Sequence, residues 1–343
     1  MPETPPPFEP SRLLATPIRD LKLTIAGTPL EPVLARFQAE LRDAGIVRLT
    51  PRFYLSTEWG VPFGTISIAI PFYLARPDLT EVHAEKVGHL EGIGPAELLR
   101  YLRHEMGHVV NYAYKLYEQE EWIKTFGSIT QPYSEAYTPK PFSRKFVRHL
   151  PGWYAQMHPD EDWAETFAVW MTPHRDWRTN YASWPHALAK LEYCERAMQA
   201  LRQQDPLVTA AELDEDVSEL GSSLEEYYRA AAGPDGEPLP PGIDGALQAI
   251  FEDFGDPEHA STAPRRPAAA LLLELERELA ANVYRWSGHF PEATHKLIRQ
   301  LAKRARELKQ VYPTDQEPAV TVAVTTLVTT LAMNHVIRGS YIP

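Results

Sequence analysis

The stretch "RHEMGHVVNYAY", Arg103 to Tyr114, lies inside a longer run, "GPAELLRYLRHEMGHVVNYAYKLY". Leu98, Leu99, Leu102, Val109, Ala113 and Leu116 recur there at helical spacing, which predicts one amphipathic helix with those residues toward a core. Gly94-Pro95 suits its start, because proline is tolerated in a first turn. On such a helix His104 and His108 share a face, with Cβ atoms ~5–6 Å apart. Two imidazoles so placed can both reach one metal ion at ~2.0–2.1 Å. Glu105 stands beside that face, where a carboxylate can accept a proton from a metal-activated water, the HExxH arrangement. Gly107 carries no side chain and leaves room for another element to approach. Histidines four apart also occur on ordinary exposed helices, so a metal site requires a third ligand.

A continuation of the form HExxHxxGxxH would place glycine at 111 and histidine at 114, and the chain has Asn111 and Tyr114. The alternative is a carboxylate on a second helix. "HPDEDWAETFAVWM", His158 to Met171, places Glu161 and Glu165 four residues apart on a segment of helical pattern. Glu161 is the expected third ligand, and Glu165 the expected hydrogen-bond partner that fixes the tautomer of a ligand histidine. Asp160, Glu161 and Asp162 also suit the positive end of any helix. Trp163, Phe167 and Trp170, however, make this a buried-looking helix, and a glutamate buried there requires a partner. Asp162 and His158 are the alternative ligands.

Composition bounds the rest. The chain has 343 residues, 44% of them apolar, which suits one large globular domain or two ordinary ones. A net charge of −12 argues against sequence-independent nucleic-acid binding and against docking on an anionic membrane. The single cysteine, Cys194, excludes an internal disulfide framework and any multi-cysteine zinc site. "MPETPPPFEP" has neither a basic nor an apolar signal region, so the cytoplasm is the expected compartment. "AVTVAVTTLVTTLAMNHVI", Ala319 to Ile337, is uncharged, but five threonines, an asparagine and a histidine lower its hydropathy, and a buried helix is expected over a membrane span.

Proline clusters divide the chain into a Pro-rich tail (1–20), a core domain (21–205), a helical segment with a Pro/Gly-rich linker (206–267) and a C-terminal region (268–343). "RFYLSTEWG" and "TISIAIPFYLA" read as strands turning through Gly60 and Gly64 in a hairpin-like region, the second a possible edge for an added peptide strand. After Pro267 the pattern is helical throughout, with Leu272, Leu275, Leu279, Val283 and Trp286 on one face, and Leu297, Ile298, Leu301, Ala305 and Leu308 on the face of the next helix.

"HEMGH" followed by "EDWAETFA" resembles the gluzincins, and in particular a bacterial family of zinc-binding metallopeptidases; the second segment is also similar to a helix in the catalytic domain of anthrax lethal factor. The resemblance covers residues 50 to 205. It implies His104, His108 and Glu161 as zinc ligands, Glu105 as base, Glu165 behind the ligands, and Tyr154 as donor to the oxyanion. Related bacterial proteins often carry an N-terminal cysteine-rich zinc ribbon, which Cys194 alone cannot make. The expected architecture is α+β, a zincin-like core with a small sheet over the HExxH helix, followed by a mainly helical C-terminal region. The expected function is hydrolysis of peptide bonds with one Zn2+ per chain. The alternative is a zinc-bearing, non-catalytic binding or regulatory protein whose C-terminal helices engage a partner or a second copy.

Overall fold

In a computed structural model of the chain, the structure describes residues 10–87, 90–133, 139–140, 142–232, 239–253 and 263–343. Residues 1–9 of the expected N-terminal tail, and 233–238 and 256–262 of the two proline-rich stretches, lie outside them. Among the described residues the fold is helix-rich with two small sheets, consistent with the α+β expectation. It divides into two compact units: Met1–Gln131 with Arg144–His149 and His158–Gly233, and Pro132–Ser143 with Leu150–Met157 and Pro234–Pro343.

In the first unit a 20-residue helix, Gly94–Ala113, carries the paired histidines and is here called the histidine helix. Its far side is mainly apolar: Leu99, Leu102, Met106, Val109 and Val110 join a core shared with Phe37, Leu41, Ile68, Ile70, Trp163 and Phe167. Each such side chain contributes about 1.5–3 kcal/mol by leaving water. Arg103 donates two hydrogen bonds to the Glu40 carboxylate, at 2.9 and 3.0 Å, and so fixes the helix Leu30–Asp43 against the histidine helix. The acidic helix, Pro159–Met171, packs on the other flank.

Strands β1 (Arg52–Ser56) and β2 (Ser67–Pro71) pair in parallel, Arg52 opposite Ser67 and Leu55 opposite Ile70, with β2 against the histidine helix. The hairpin-like expectation is therefore wrong. A hairpin returns the chain antiparallel over a tight turn, whereas residues 57–66 carry it back to the starting end of β1. The far edge of β2 is also used in part by its own chain, since Ala69 N donates to Gly60 O at 2.8 Å. That occupies an edge position the sequence left open for a peptide strand.

The second unit packs three long helices, Ala268–Ser287, Pro291–Glu307 and Glu317–Arg338, around Leu272, Leu279, Leu297, Ile298, Leu301 and Val328. It is not all helix after Pro267. β5 (Gln310–Pro313) lies between β3 (Glu252–Asp253) and β4 (Arg265–Pro267) in an antiparallel sheet. Gln310, Val311 and Tyr312 follow the helical pattern directly, and a four-residue strand is too short to break the periodicity on which that expectation rested. Trp286, expected on the core face, is 58% exposed. The buried face runs from Val283 to Ser287 instead, a step of four residues where the sequence reading took three, and that turns Trp286 outward. The helix Glu317–Arg338 buries the stripe Val320, Val324, Val328, Leu331 and Ala332; by length and composition alone it could cross a membrane.

Candidate metal centre

The acidic helix runs antiparallel to the histidine helix, so residue numbers rise on one as they fall on the other. His104 meets Glu165 and His108 meets Asp160, the helical rise between the histidines, ~6 Å, being close to the ~7.5 Å between the two carboxylates. The helices approach closely because Gly107 faces Ala164: a Cβ on Gly107 would stand 2.7 Å from the Ala164 Cα. Trp163 Nε1 donates to the Gly107 carbonyl at 2.8 Å and locks the crossing. The acidic helix begins at His158, whose Nδ1 accepts from Asp160 N while its Nε2 donates to the Gln131 carbonyl. His158 thus acts as a helix cap. Asp162 points to Lys190, 2.5 Å away, and so neither alternative ligand joins the cluster.

Three donor atoms converge. His104 Nε2 lies 3.0 Å from Glu161 Oε2 and 3.2 Å from His108 Nε2, and His108 Nε2 lies 3.4 Å from Glu161 Oε2. Ligands at 2.0–2.1 Å from a tetrahedral ion stand ~3.3 Å apart, so this triangle has the size a zinc ion requires. His104, His108 and Glu161 form the group capable of holding a metal among the described residues, and all three are buried. Two neutral imidazoles and one carboxylate are also a donor set suited to zinc.

Each imidazole is held from behind. Glu165 Oε1 accepts from His104 Nδ1 at 3.0 Å, and its other oxygen accepts from the His149 backbone N–H at 3.0 Å. Asp160 Oδ2 accepts from His108 Nδ1 at 3.0 Å. Tyr112 Oη and Asn111 Nδ2 donate to Asp160 at 2.5 and 2.6 Å. With both Nδ1 atoms committed as donors, both Nε2 lone pairs face the centre of the triangle.

The electrostatics favour positive charge at that centre. Burial alone would lower both histidines, yet Glu161 and Glu165 lift His104 to about 9, and Asp160 and Glu161 lift His108 well above its ordinary value. Burial opposes ionisation of Glu161, but the two imidazoles pull it well below the usual carboxylate range. Glu105 is pushed up to about 7 by burial, with the histidines opposing. His149 is lowered to about 4, chiefly by burial, and remains neutral.

Residues 95–235 match the model of a family described as "Putative zinc-binding metallo-peptidase". The matched segment is less than half of the chain, and it contains the whole cluster, from His104 to Glu165. Substrates of a peptidase family are proteins or peptides. Strands β1 and β2 and the second unit's helices lie outside the segment. No curated protein and no solved structure matches the chain.

The structure brings His104, Glu105, His108, Glu161 and Glu165 together in the first unit. Tyr154 belongs to the second unit, on the turn Pro151–Gln156, where its carbonyl accepts from Met157 N. Sequence reasoning missed Asp160, which had been assigned only to the helix dipole, and its donors Asn111 and Tyr112. The signal available was position. Asp160 and Glu165 flank Glu161 on one helix, as His104 and His108 flank Gly107 on the other.

Proposed function

We propose that the chain is a zinc-dependent peptidase with a zincin-like core, its ion held by His104, His108 and Glu161. The observation that carries this reading is the 3.0–3.4 Å triangle of Nε2, Nε2 and Oε2 atoms, with Glu105 one residue from the first ligand. Bound there, zinc supplies Lewis-acid polarisation of a substrate carbonyl and activation of a water molecule. Glu105 would serve as the base beside such a site, accepting a proton from the attacking water and returning it to the departing amine. Glu165 and Asp160 hold the imidazoles as neutral Nε2 donors, so the ligand set keeps a single negative charge. Burial of the cluster excludes bulk water and strengthens each of these interactions.

The test is Glu105→Gln. Metal content should stay at the wild-type level while hydrolysis of a peptide library falls by about 10²–10⁴, the range for a general base. Equal turnover in the metal-loaded variant would remove Glu105 from the mechanism. Zinc in the wild type with no metal-dependent cleavage of any peptide would instead favour the non-catalytic, zinc-bearing alternative.

A further inference from the structure

The connection between β1 and β2 runs along the histidine helix. Trp59 stacks on Tyr101 (centroids 5.2 Å, planes at 15°), and four residues later Phe63 packs edge-on against Tyr112 at 4.9 Å. Tyr101 and Tyr112 lie on the stripe that carries His104 and His108, one to either side of the pair. Phe63 also contacts Tyr117 at 5.5 Å, and Tyr112 and Tyr117 stand 6.3 Å apart, so the three rings form a cluster.

Phe63 is nonetheless 64% exposed. It is held in that position by a tight turn: Thr65 N and Oγ1 both bond the Pro62 carbonyl, and Gly64 takes the left-handed φ of +74° that a type II turn needs at its third residue. The floor beneath it is rigid, because the Tyr112 hydroxyl is spent on Asp160, the partner of His108. Lys115 and Glu118, the charges nearest Tyr117 in sequence, pair with each other at 3.5 Å. Phe63 and the half-buried Tyr117 therefore present a prearranged aromatic surface to solvent, with the buried Tyr112 ring as its floor.

Its distance from the metal ligands indicates what it meets. The Tyr112 ring is 6.0 Å from the His108 ring, so Phe63 lies within ~11 Å of a ligand, the reach of about three extended residues at ~3.3 Å each. We propose that Phe63, Tyr112 and Tyr117 form an aromatic subsite that receives an aromatic or long aliphatic side chain of a peptide bound across the metal centre. The proposal rests on the peptidase reading for the placement of the peptide. The side chain would be taken from water by Phe63 and Tyr117 over the buried Tyr112, with edge-to-face contact to Phe63 adding to the gain for an aromatic one.

The test uses full-length zinc-loaded protein and peptide hydroxamates, which bind a metal site whether or not it turns over. Benzyl, isobutyl and methyl side chains are placed at each of three positions on either side of the chelating group. Wild type should bind the benzyl or isobutyl compound at one position about tenfold more tightly than the methyl one. Phe63→Ala should reduce that preference to about twofold, with methyl-compound affinity and zinc content unchanged, and Phe63→Leu should keep most of it. Equal wild-type affinities, a preference that survives Phe63→Ala, or no hydroxamate binding would each overturn the subsite. A library-cleavage assay run in parallel separates the two readings. Side-chain preference without cleavage would sink the peptidase and keep the subsite, and cleavage without preference would do the reverse.

Discussion

Gly107 on the histidine helix lies directly against Ala164 on the acidic helix, and this contact sets how near Glu161 comes to the two imidazoles. A methyl group at 107 would meet the Ala164 Cα at 2.7 Å and its carbonyl oxygen at 3.1 Å, both backbone atoms that cannot rotate aside. Gly107→Ala should therefore destabilise the first unit by about 1–3 kcal/mol through overpacking. The gain in helix propensity, about 1 kcal/mol, offsets only part of this. Urea unfolding measures the loss, and zinc affinity should fall with it as the helices separate.

Glu161 and its neighbours differ in what their loss should do. Glu161→Ala removes a donor atom, so protein purified without chelator should drop from about one zinc per chain to a small fraction in elemental analysis. Asp160→Asn and Glu165→Gln leave all three donors in place and remove only the negative charge, and one of the two acceptor oxygens, behind His108 and His104. Each should weaken zinc by about 10–100-fold in competition with a chromogenic chelator, with far-UV circular dichroism unchanged. Wild-type affinity in Asp160→Asn would show that Tyr112 and Asn111 do not position His108 through that carboxylate.

Lys190 and Asp162 form a buried ion pair, 2.5 Å apart, that ties the acidic helix to the helix Pro185–Leu201. Phe146 lies under the ammonium at 4.2 Å. Lys190→Met would leave a carboxylate in the interior with no counter-charge, a change that typically costs about 3–5 kcal/mol. Burial already raises Asp162 to about 7 against the pull of Lys190. The variant should lose most stability at neutral and alkaline pH, where the carboxylate must ionise, and recover part of it in acid. Denaturant midpoints at pH 5 and 8 would reveal the difference.

The second unit should show the opposite pH response. Burial, aided by the charge of His335, lowers His289 to about 3. The unfolded imidazole protonates near 6.5, so as pH falls below that value the unfolded state takes up a proton the folded state refuses. Stability of this unit should decline from about pH 6.5 toward pH 3, by at most ~1.4 kcal/mol per pH unit from this group. Hydrogen exchange of amides in Pro291–Glu307, compared at pH 7 and pH 5, should show faster global opening at the lower pH. His289→Gln should flatten the trend.

What the sequence determined by itself is local. The pitch of a helix is set within a few residues, so the spacing of His104, Glu105 and His108, or of Glu161 and Glu165, states which side chains share a face before any tertiary contact exists. Proline and the apolar repeats similarly located the long helices. The tertiary structure decided everything that depends on which surfaces meet. The parallel pairing of β1 with β2, the strand at Gln310–Pro313 and the exposure of Trp286 follow from contacts between distant segments, which periodicity does not encode. Asp160 is the same case within the candidate site. Its place on its own helix was plain, but only the antiparallel crossing at Gly107 and Ala164 decided that it would stand behind His108, because a side chain's partner is set by the helix it packs against.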